Sequence, residues 1–327
     1  MARIAITGGS GFIGSSISRE MNRVNELNGK ELDNIFLFDR SEPVNFSNLP
    51  KNVQWIKCDI SNKESVSDAM AMVKSLDQLW LVAGVLGTSE LNEVPSKASI
   101  NNIVGLCNFM DILVEYKKKG KKFPRVFYPT KPNVWDNMYT ITKECSEKVI
   151  QYYMKEFGLT GVIHKWYNAY GPGQHTHPIR KAVPYFILMA LNNKPLKIHG
   201  KGNQTIDLVH VDDISRIAVE AMNKPEGELT NREVIDIGTG VEMTVNKLAK
   251  SIIKLCNSSS EIIHETMRSG EVPDTKLAAN TLRQNQIINK TLGFKDYEKG
   301  MKETIEYYRN LDPKIVQSAL KFYSKTA

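Results

Sequence analysis

Tyr139 and Lys143 stand four residues apart in the stretch MYTITK, so on a helix both side chains fall on one face. A free phenol titrates near ~10 and is a poor base at neutral pH. A nearby ammonium favours the phenolate. Such a pair can draw a proton from a substrate hydroxyl while the carbon bearing it is oxidised. The spacing alone is common, so its meaning depends on its surroundings. A strand-like apolar run, Arg125-Val126-Phe127-Tyr128, lies a short way upstream, followed by Pro129-Thr130-Lys131.

A second constellation sits at the start of the chain. Gly8, Gly11 and Gly14 punctuate TGGSGFIG (7–14), directly after the apolar run Ile4-Ala5-Ile6. A strand-to-helix turn with glycines at these places brings backbone N–H groups up to a pyrophosphate, and the helix N-terminus adds positive potential. Further along, the run Ile35 to Phe38 ends in Asp39-Arg40. A carboxylate there accepts both hydroxyls of an adenine ribose and repels a 2′-phosphate. This favours NAD over NADP, although Arg40 offers a partner for such a phosphate. Asp59 and Ile60 close the next strand at the adenine edge, and Ala83-Gly84 lets backbone approach the cofactor.

These side chains need a frame. Residues 4–6, 35–38, 55–56, 79–82, 126–128 and 161–164 read as buried parallel strands. The stretches 65–75, 100–118 and 139–157 between them read as helices. The alternation predicts an α/β fold, a doubly wound parallel (Rossmann) sheet over 1–167. A smaller, more irregular α/β portion, 168–327, is expected to bind substrate, with some segments returning to the sheet. It contains a helix from Pro184 to Asn192 and short strands near 197–198 and 208–211.

Composition narrows the classes. The chain has 327 residues, 41% hydrophobic and 24% charged, enough for a substantial core. Its four cysteines show no C-x-x-C pair, which argues for reduced thiols, a cytoplasmic location and no zinc site. The histidines are dispersed, and no metal is expected. No apolar run approaches the ~18 residues that span a bilayer. The net charge is +7, with a basic run from Lys117 to Lys122. That run reads as a solvated helix end complementing the dipole. Nucleic-acid binding is the sharper reading, but no aromatic interleaving supports it.

Together these motifs resemble the extended short-chain dehydrogenase/reductase family, in its branch of NAD-dependent nucleotide-sugar epimerases and dehydratases. The resemblance covers nearly the whole chain: TGGSGFIG (7–14), Asp39, Asp59-Ile60, NIVG (102–105), YTITK (139–143), NAYGPGQ (168–174), LVHVDDISRIA (208–218), IGTG (237–240) and RSGEVPDT (268–275). It implies NAD held by Gly8, Gly11, Phe12, Ile13, Gly14, Asp39, Arg40, Asp59, Ile60, Ala83 and Asn102. Tyr139 becomes the base, and Lys143 its partner and a ligand of the nicotinamide ribose. Thr130 fills the family's Ser/Thr position if one residue is inserted after it, and Lys131 occupies that position otherwise. Asn168, Lys197, His199 and Arg268 are assigned to the nucleotide sugar. The helices 100–118 and 139–157 are expected to pair into a four-helix homodimer interface.

The sequence also departs from the family. Dehydratases place Asp-Glu after this Thr, whereas Lys131-Pro132 follows here. Ile206 stands where an arginine usually binds the diphosphate, with Arg180, Lys181, Lys197 or Lys201 as substitutes. Only three residues separate Trp135 from Tyr139. This short connection implies an open sugar pocket, or one closed by 87–95 or 175–178. The expected activity is a nucleotide-sugar 4-epimerase, with UDP favoured. One-way oxidoreduction, dehydration and a non-catalytic NAD-binding regulator are the alternatives.

Overall fold

Ile4, Ala5 and Ile6 have no exposed surface, because β1 (Ala2–Thr7) is covered on both faces. A computed structural model describes residues 1–43, 49–73, 75–91, 93–132, 134–229, 232–288 and 293–325. In it β1 lies between β3 (Lys30–Asp39) and β5 (Gln78–Leu81), parallel to both. β4 (Val53–Lys57) extends the sheet beyond β3, and β6 (Arg125–Thr130), β7 (Gly161–Trp166) and β12 (Val234–Ile237) extend it beyond β5. These seven strands are all parallel. A short antiparallel strand, β2 (Glu26–Leu27), folds onto the start of β3. The chain winds outward from β1 in both directions, so a crevice opens at the carboxyl ends of the central strands.

Side-chain alternation along β1 divides the core. Ile4 and Ile6 join Ile17 and Met21 of α1 (Phe12–Val24) and Ile214 and Ile217 of α7 (Val211–Asn223). Ala5 faces the other layer, with Val66 of α2 (Lys63–Met72), Phe109 of α4 (Gly105–Lys118) and Ile150 of α5 (Met138–Phe157). A π-helical stretch, Ser99–Val104, leads straight into α4 and buries Asn101 and Asn102. The basic run then closes α4, where Lys117 and Lys121 lie over the rings of Phe123 and Tyr116.

The later half has its own core. Phe186 and Ile187 of α6 (Ala182–Leu191) pack with Leu248 and Ile252 of α8 (Val245–Leu255). Met301 of α10 (Tyr297–Arg309) and Tyr323 of α11 (Pro313–Lys325) complete it. Three two-stranded sheets edge this core: β8 (Asn168–Tyr170) with β11 (Leu208–His210), β9 (Leu196–His199) with β14 (Ile262–Glu265), and β10 (Thr205–Ile206) with β13 (Met243–Thr244). The portion is richer in helix than the sequence implied. Among the described residues α7, β12 and the helix Thr281–Ile287 return to the large sheet.

Candidate active site

The glycine turn is built by close approach. Gly8 has φ +67°, and a Cβ on it would sit 2.9 Å from Ala83 Cα. A Cβ on Gly14 would fall 2.2 Å from Gly8 O, so the first turn of α1 cannot tolerate a side chain there. Gly9, unremarked in the sequence, is equally constrained, because its Cβ would meet Leu37 at 2.8 Å. Gly11 is the N-cap of α1 and offers no capping side chain, and the first turn holds no acidic residue. Its N–H groups and positive dipole end therefore suit an anion. Phe12 and Ile13 open that turn.

Asp39 closes β3 beside this loop. Its carboxylate accepts from Ser10 N and Ser41 N, each at 3.2 Å, which fixes its orientation, while Arg40 beside it is exposed. Asp59 accepts from Ser61 Oγ at 2.6 Å and Ser61 N at 3.0 Å. The Ser61 hydroxyl, with help from the Arg40 charge, holds Asp59 below the usual carboxylate range. Ala83 N donates to Thr7 Oγ1 at 3.0 Å. Thr7, Ile60, Ala83, Asn102 and Tyr128 line one small cavity under the strand ends. Asn102 is locked there: Oδ1 accepts from Val85 N at 2.9 Å, and Nδ2 donates to Thr142 Oγ1 at 3.0 Å.

Tyr139 and Lys143 share the first turns of α5, whose N-cap is Asn137. Burial alone pushes the Tyr139 phenol up, with no described carboxylate adding to it. Lys143 donates to Pro129 O at 2.5 Å, and its Nζ lies 4.3 Å from the Tyr128 ring centroid. Burial first, and then the Lys131 charge, draw the Lys143 ammonium down to about 7, with Glu147 opposing. Thr130 ends β6 at 3% exposure, and its Oγ1 has no hydrogen-bond partner among the described residues. Lys131 is placed differently. Its Nζ donates to Thr140 Oγ1 at 2.9 Å and to Pro132 O at 2.5 Å, and lies 5.5 Å from the Tyr139 ring centroid. Lys181 reaches the same ring at 5.9 Å. Nothing in the spacing of Lys131, Lys181 and Tyr139 announced that the three would meet.

The residues assigned to substrate divide into two groups. Lys197 pairs with Glu265 at 2.7 Å, and His199 Nδ1 lies 3.2 Å from Thr266 O. Burial, and then the Arg268 charge, lower the His199 imidazole, so these side chains share one neighbourhood. Arg268 itself is ion-paired with Glu271. Arg180 stands nearby, with its guanidinium donating to Tyr323 O at 3.0 Å and its N to Glu90 Oε1 at 3.1 Å. Asn168 is occupied elsewhere: its N donates to Asp207 O at 2.9 Å. Asp207 has no exposure and accepts from Thr239 N, Thr239 Oγ1, Gly240 N and Ala279 N. Ile206 is tied into β10, opposite Met243.

The short connection before Tyr139 is covered by the segment that begins at Arg268. Asn137 Nδ2 donates to Gly270 O at 3.2 Å, and Trp135 Nε1 to Thr275 Oγ1 at 3.2 Å. Residues 268–275 therefore lie against the entry to α5, with Thr88 close to Gly270. Of the two closing segments expected, 87–95 contributes through Thr88 and Glu90. His210, one of the dispersed histidines, approaches Asp212 and Glu303. The Lys295 ammonium already bridges those two carboxylates, at 2.8 and 2.7 Å. Among the described residues no helix is long and apolar enough to cross a membrane.

Comparison with known proteins places these features. The model of the NAD dependent epimerase/dehydratase family matches residues 4–238. A UDP-N-acetyl-alpha-D-glucosaminuronate decarboxylase from Bacillus cytotoxicus is 27% identical, over 95% of this chain and 98% of its own. A putative UDP-glucose 4-epimerase from Methanocaldococcus jannaschii is also 27% identical, over 94% of this chain and 98% of its own. The crystal structure of the UDP-glucose 4-epimerase of Thermotoga maritima with UDP-glucose superposes with a TM-score of 0.79 at 23% identity, covering 94% and 98% of the two chains. The Thermus thermophilus UDP-glucose 4-epimerase, solved with NAD, gives a TM-score of 0.78 at 20% identity, covering 95% of this chain and all of its own.

Proposed function

Because the chain belongs to the NAD-dependent epimerase/dehydratase family, whose members act on nucleotide sugars, we propose that it is a UDP-hexose 4-epimerase. The observation that carries this is the charge around Tyr139. The charged groups lying over its ring are the ammonium groups of Lys131 and Lys181, and the residue after Thr130 is a lysine. A nearby ammonium favours the phenolate, which can take a proton from a sugar hydroxyl and return it. Eliminating water across the ring also needs an acid/base carboxylate, and Lys131 and Pro132, directly after Thr130, supply none.

The residues present fit the cofactor. The glycine cradle leaves no room for a Cβ, α1 presents an uncapped N-terminus, and Asp39 is oriented for ribose hydroxyls. Gly8, Gly11, Phe12, Ile13 and Gly14 would hold the pyrophosphate, and Asp39, Arg40, Asp59 and Ile60 the adenosine half. Ala83, Asn102 and Lys143 would meet the nicotinamide half. When bound, NAD supplies a reversible two-electron oxidation of a carbinol carbon. Tyr139 then takes the C4 hydroxyl proton, and Thr130 Oγ1 hydrogen-bonds the same oxygen. The 4-keto sugar turns over within the pocket, which exposes its opposite face to reduction, and Tyr139 returns the proton to the C4 oxygen. Arg268, Lys197 and His199 hold the nucleotide, and Arg180 stands in for the arginine replaced by Ile206. Asn168 orders the entrance to the 168–327 portion through Asp207.

Two further traits belong to this reading. Ile100, Val104, Ile141 and Tyr152 are exposed apolar side chains on the segments expected to dimerise, which supports a homodimer through the π-helical stretch before α4 and through α5. Four free thiols suit the cytoplasm. The test is incubation with UDP- and dTDP-hexoses, followed by NMR and by absorbance of the reduced cofactor. Epimer without net reduction supports the proposal. Stoichiometric cofactor reduction would favour one-way oxidation, and turnover unaffected by Tyr139→Phe would refute the catalytic assignment.

A further inference from the structure

Lys131 and Lys181 reach Tyr139 from separate elements, one from the end of β6 and the other from the N-cap of α6. Neither is ion-paired among the described residues. Lys131 donates to two neutral oxygens, Thr140 Oγ1 and Pro132 O. Glu144 acts on Lys131, and Glu90 and Glu271 on Lys181, through space without direct bonds. The nucleotide-side cations are different, since Lys197 has Glu265 and Arg268 has Glu271. Positive charge without an ion-pair partner among the described residues is thus concentrated at the end of the site where the sugar carbon reacts. A half-buried charge without a counter-ion is costly, and an arriving anion relieves that cost.

Building on the epimerase reading, we propose that the sugar is a hexuronate, whose C6 carboxylate is received by Lys131 and Lys181 beside Tyr139. Charge-assisted bonds to two ammonium groups select this carboxylate over a neutral hydroxymethyl group. They also bear on the outcome of the reaction. Once C4 is a ketone, the sugar is a β-keto acid. Loss of CO₂ would move the electron pair of the C5–C6 bond onto C5 and leave both ammonium groups unpaired. Holding the carboxylate in ion pairs opposes that loss, so the keto sugar returns to a hydroxyl with C6 intact.

The experiment compares UDP-glucuronate with UDP-glucose, and the dTDP forms of both, on the full chain with NAD. The NMR readout separates epimer from decarboxylated pentose, and NAD binding by tryptophan fluorescence confirms that each variant is folded. The uronate is expected to have kcat/KM higher by about 100-fold, and Lys131→Met or Lys181→Met to shrink that ratio by about tenfold each. Equal or better turnover of the neutral sugar, or a uronate preference that survives both substitutions, would overturn the hexuronate assignment while leaving the epimerase reading intact. Uronate turnover with release of CO₂ would support the carboxylate site and refute epimerisation. Turnover of none of the four sugars would overturn both.

Discussion

Asn137 holds both ends of one relationship: its Oδ1 accepts from Thr140 N at 3.0 Å, and its Nδ2 donates to Gly270 O at 3.2 Å. One side chain thus caps the helix that carries Tyr139 and fastens the 268–275 segment over it. Two substitutions separate these jobs. Asn137→Ala loses both, at about 1 kcal/mol for the cap and a melting temperature lower by roughly 3 °C. Asn137→Asp keeps a capping oxygen but turns a carboxylate toward the Gly270 carbonyl. It should retain thermal stability while raising KM severalfold. Equal melting losses in the two variants would show that the bond to Gly270 contributes to folding rather than to substrate binding.

Thr130 is argued to serve the substrate rather than the fold. Its hydroxyl is buried at the end of β6, without a partner among the described residues. Removing an unsatisfied polar group is neutral or stabilising, whereas removing a satisfied one costs about 1 kcal/mol. Thr130→Val should therefore melt at or above the wild-type temperature and lose on the order of 10–100-fold in kcat. Calorimetry and initial rates on the same preparation decide this. A lower melting temperature with unchanged kcat would assign the hydroxyl to structure.

Cofactor choice rests on Asp39. Its carboxylate is held by the amides of Ser10 and Ser41, with Arg40 exposed alongside. Asp39→Ala removes both the ribose acceptor and the charge that repels a 2′-phosphate. Loss of a hydrogen bond to a charged group, about 1.5–3 kcal/mol, weakens NAD by roughly ten- to a hundredfold. NADP should bind better to the variant than to the wild type, because Arg40 remains. Fluorescence titration with both dinucleotides gives the two constants. Unaltered discrimination would place the selectivity elsewhere.

The features that carry local spacing were legible in the sequence. Gly8, Gly11 and Gly14, Asp39 at a strand end, and Tyr139 with Lys143 each need only a few neighbouring residues to be recognised. What escaped depends on distant partners. Asp207 is buried by donors 32 to 72 positions later in the chain, and Asn137 meets a residue 133 positions away. β12 joins the main sheet by setting Val234 opposite Ile163 of β7, a pairing between distant segments that no local pattern marks. The lysines around Tyr139 come from separate elements whose approach is set by tertiary packing.

Lys143 links function to stability through pH. The ammonium is drawn down to about 7 by burial and then by Lys131, with Glu147 opposing, whereas an unfolded lysine titrates near ~10.4. Between those values the unfolded chain binds a proton that the folded one does not, so stability rises with pH across that window. Below about 7 the folded protein carries the charge and its desolvation penalty in full. Lys143→Met removes the penalty while approximating the side chain's length. It should raise the melting temperature by roughly 3 °C or more at pH 6, with the gain shrinking toward zero near pH ~10. Turnover should fall at every pH, because the ammonium four residues from Tyr139 on α5 is gone. Melting curves of both proteins from pH 6 to ~10 test the first part. A stabilisation independent of pH would mean that repacking, rather than relief of a buried charge, accounts for the gain.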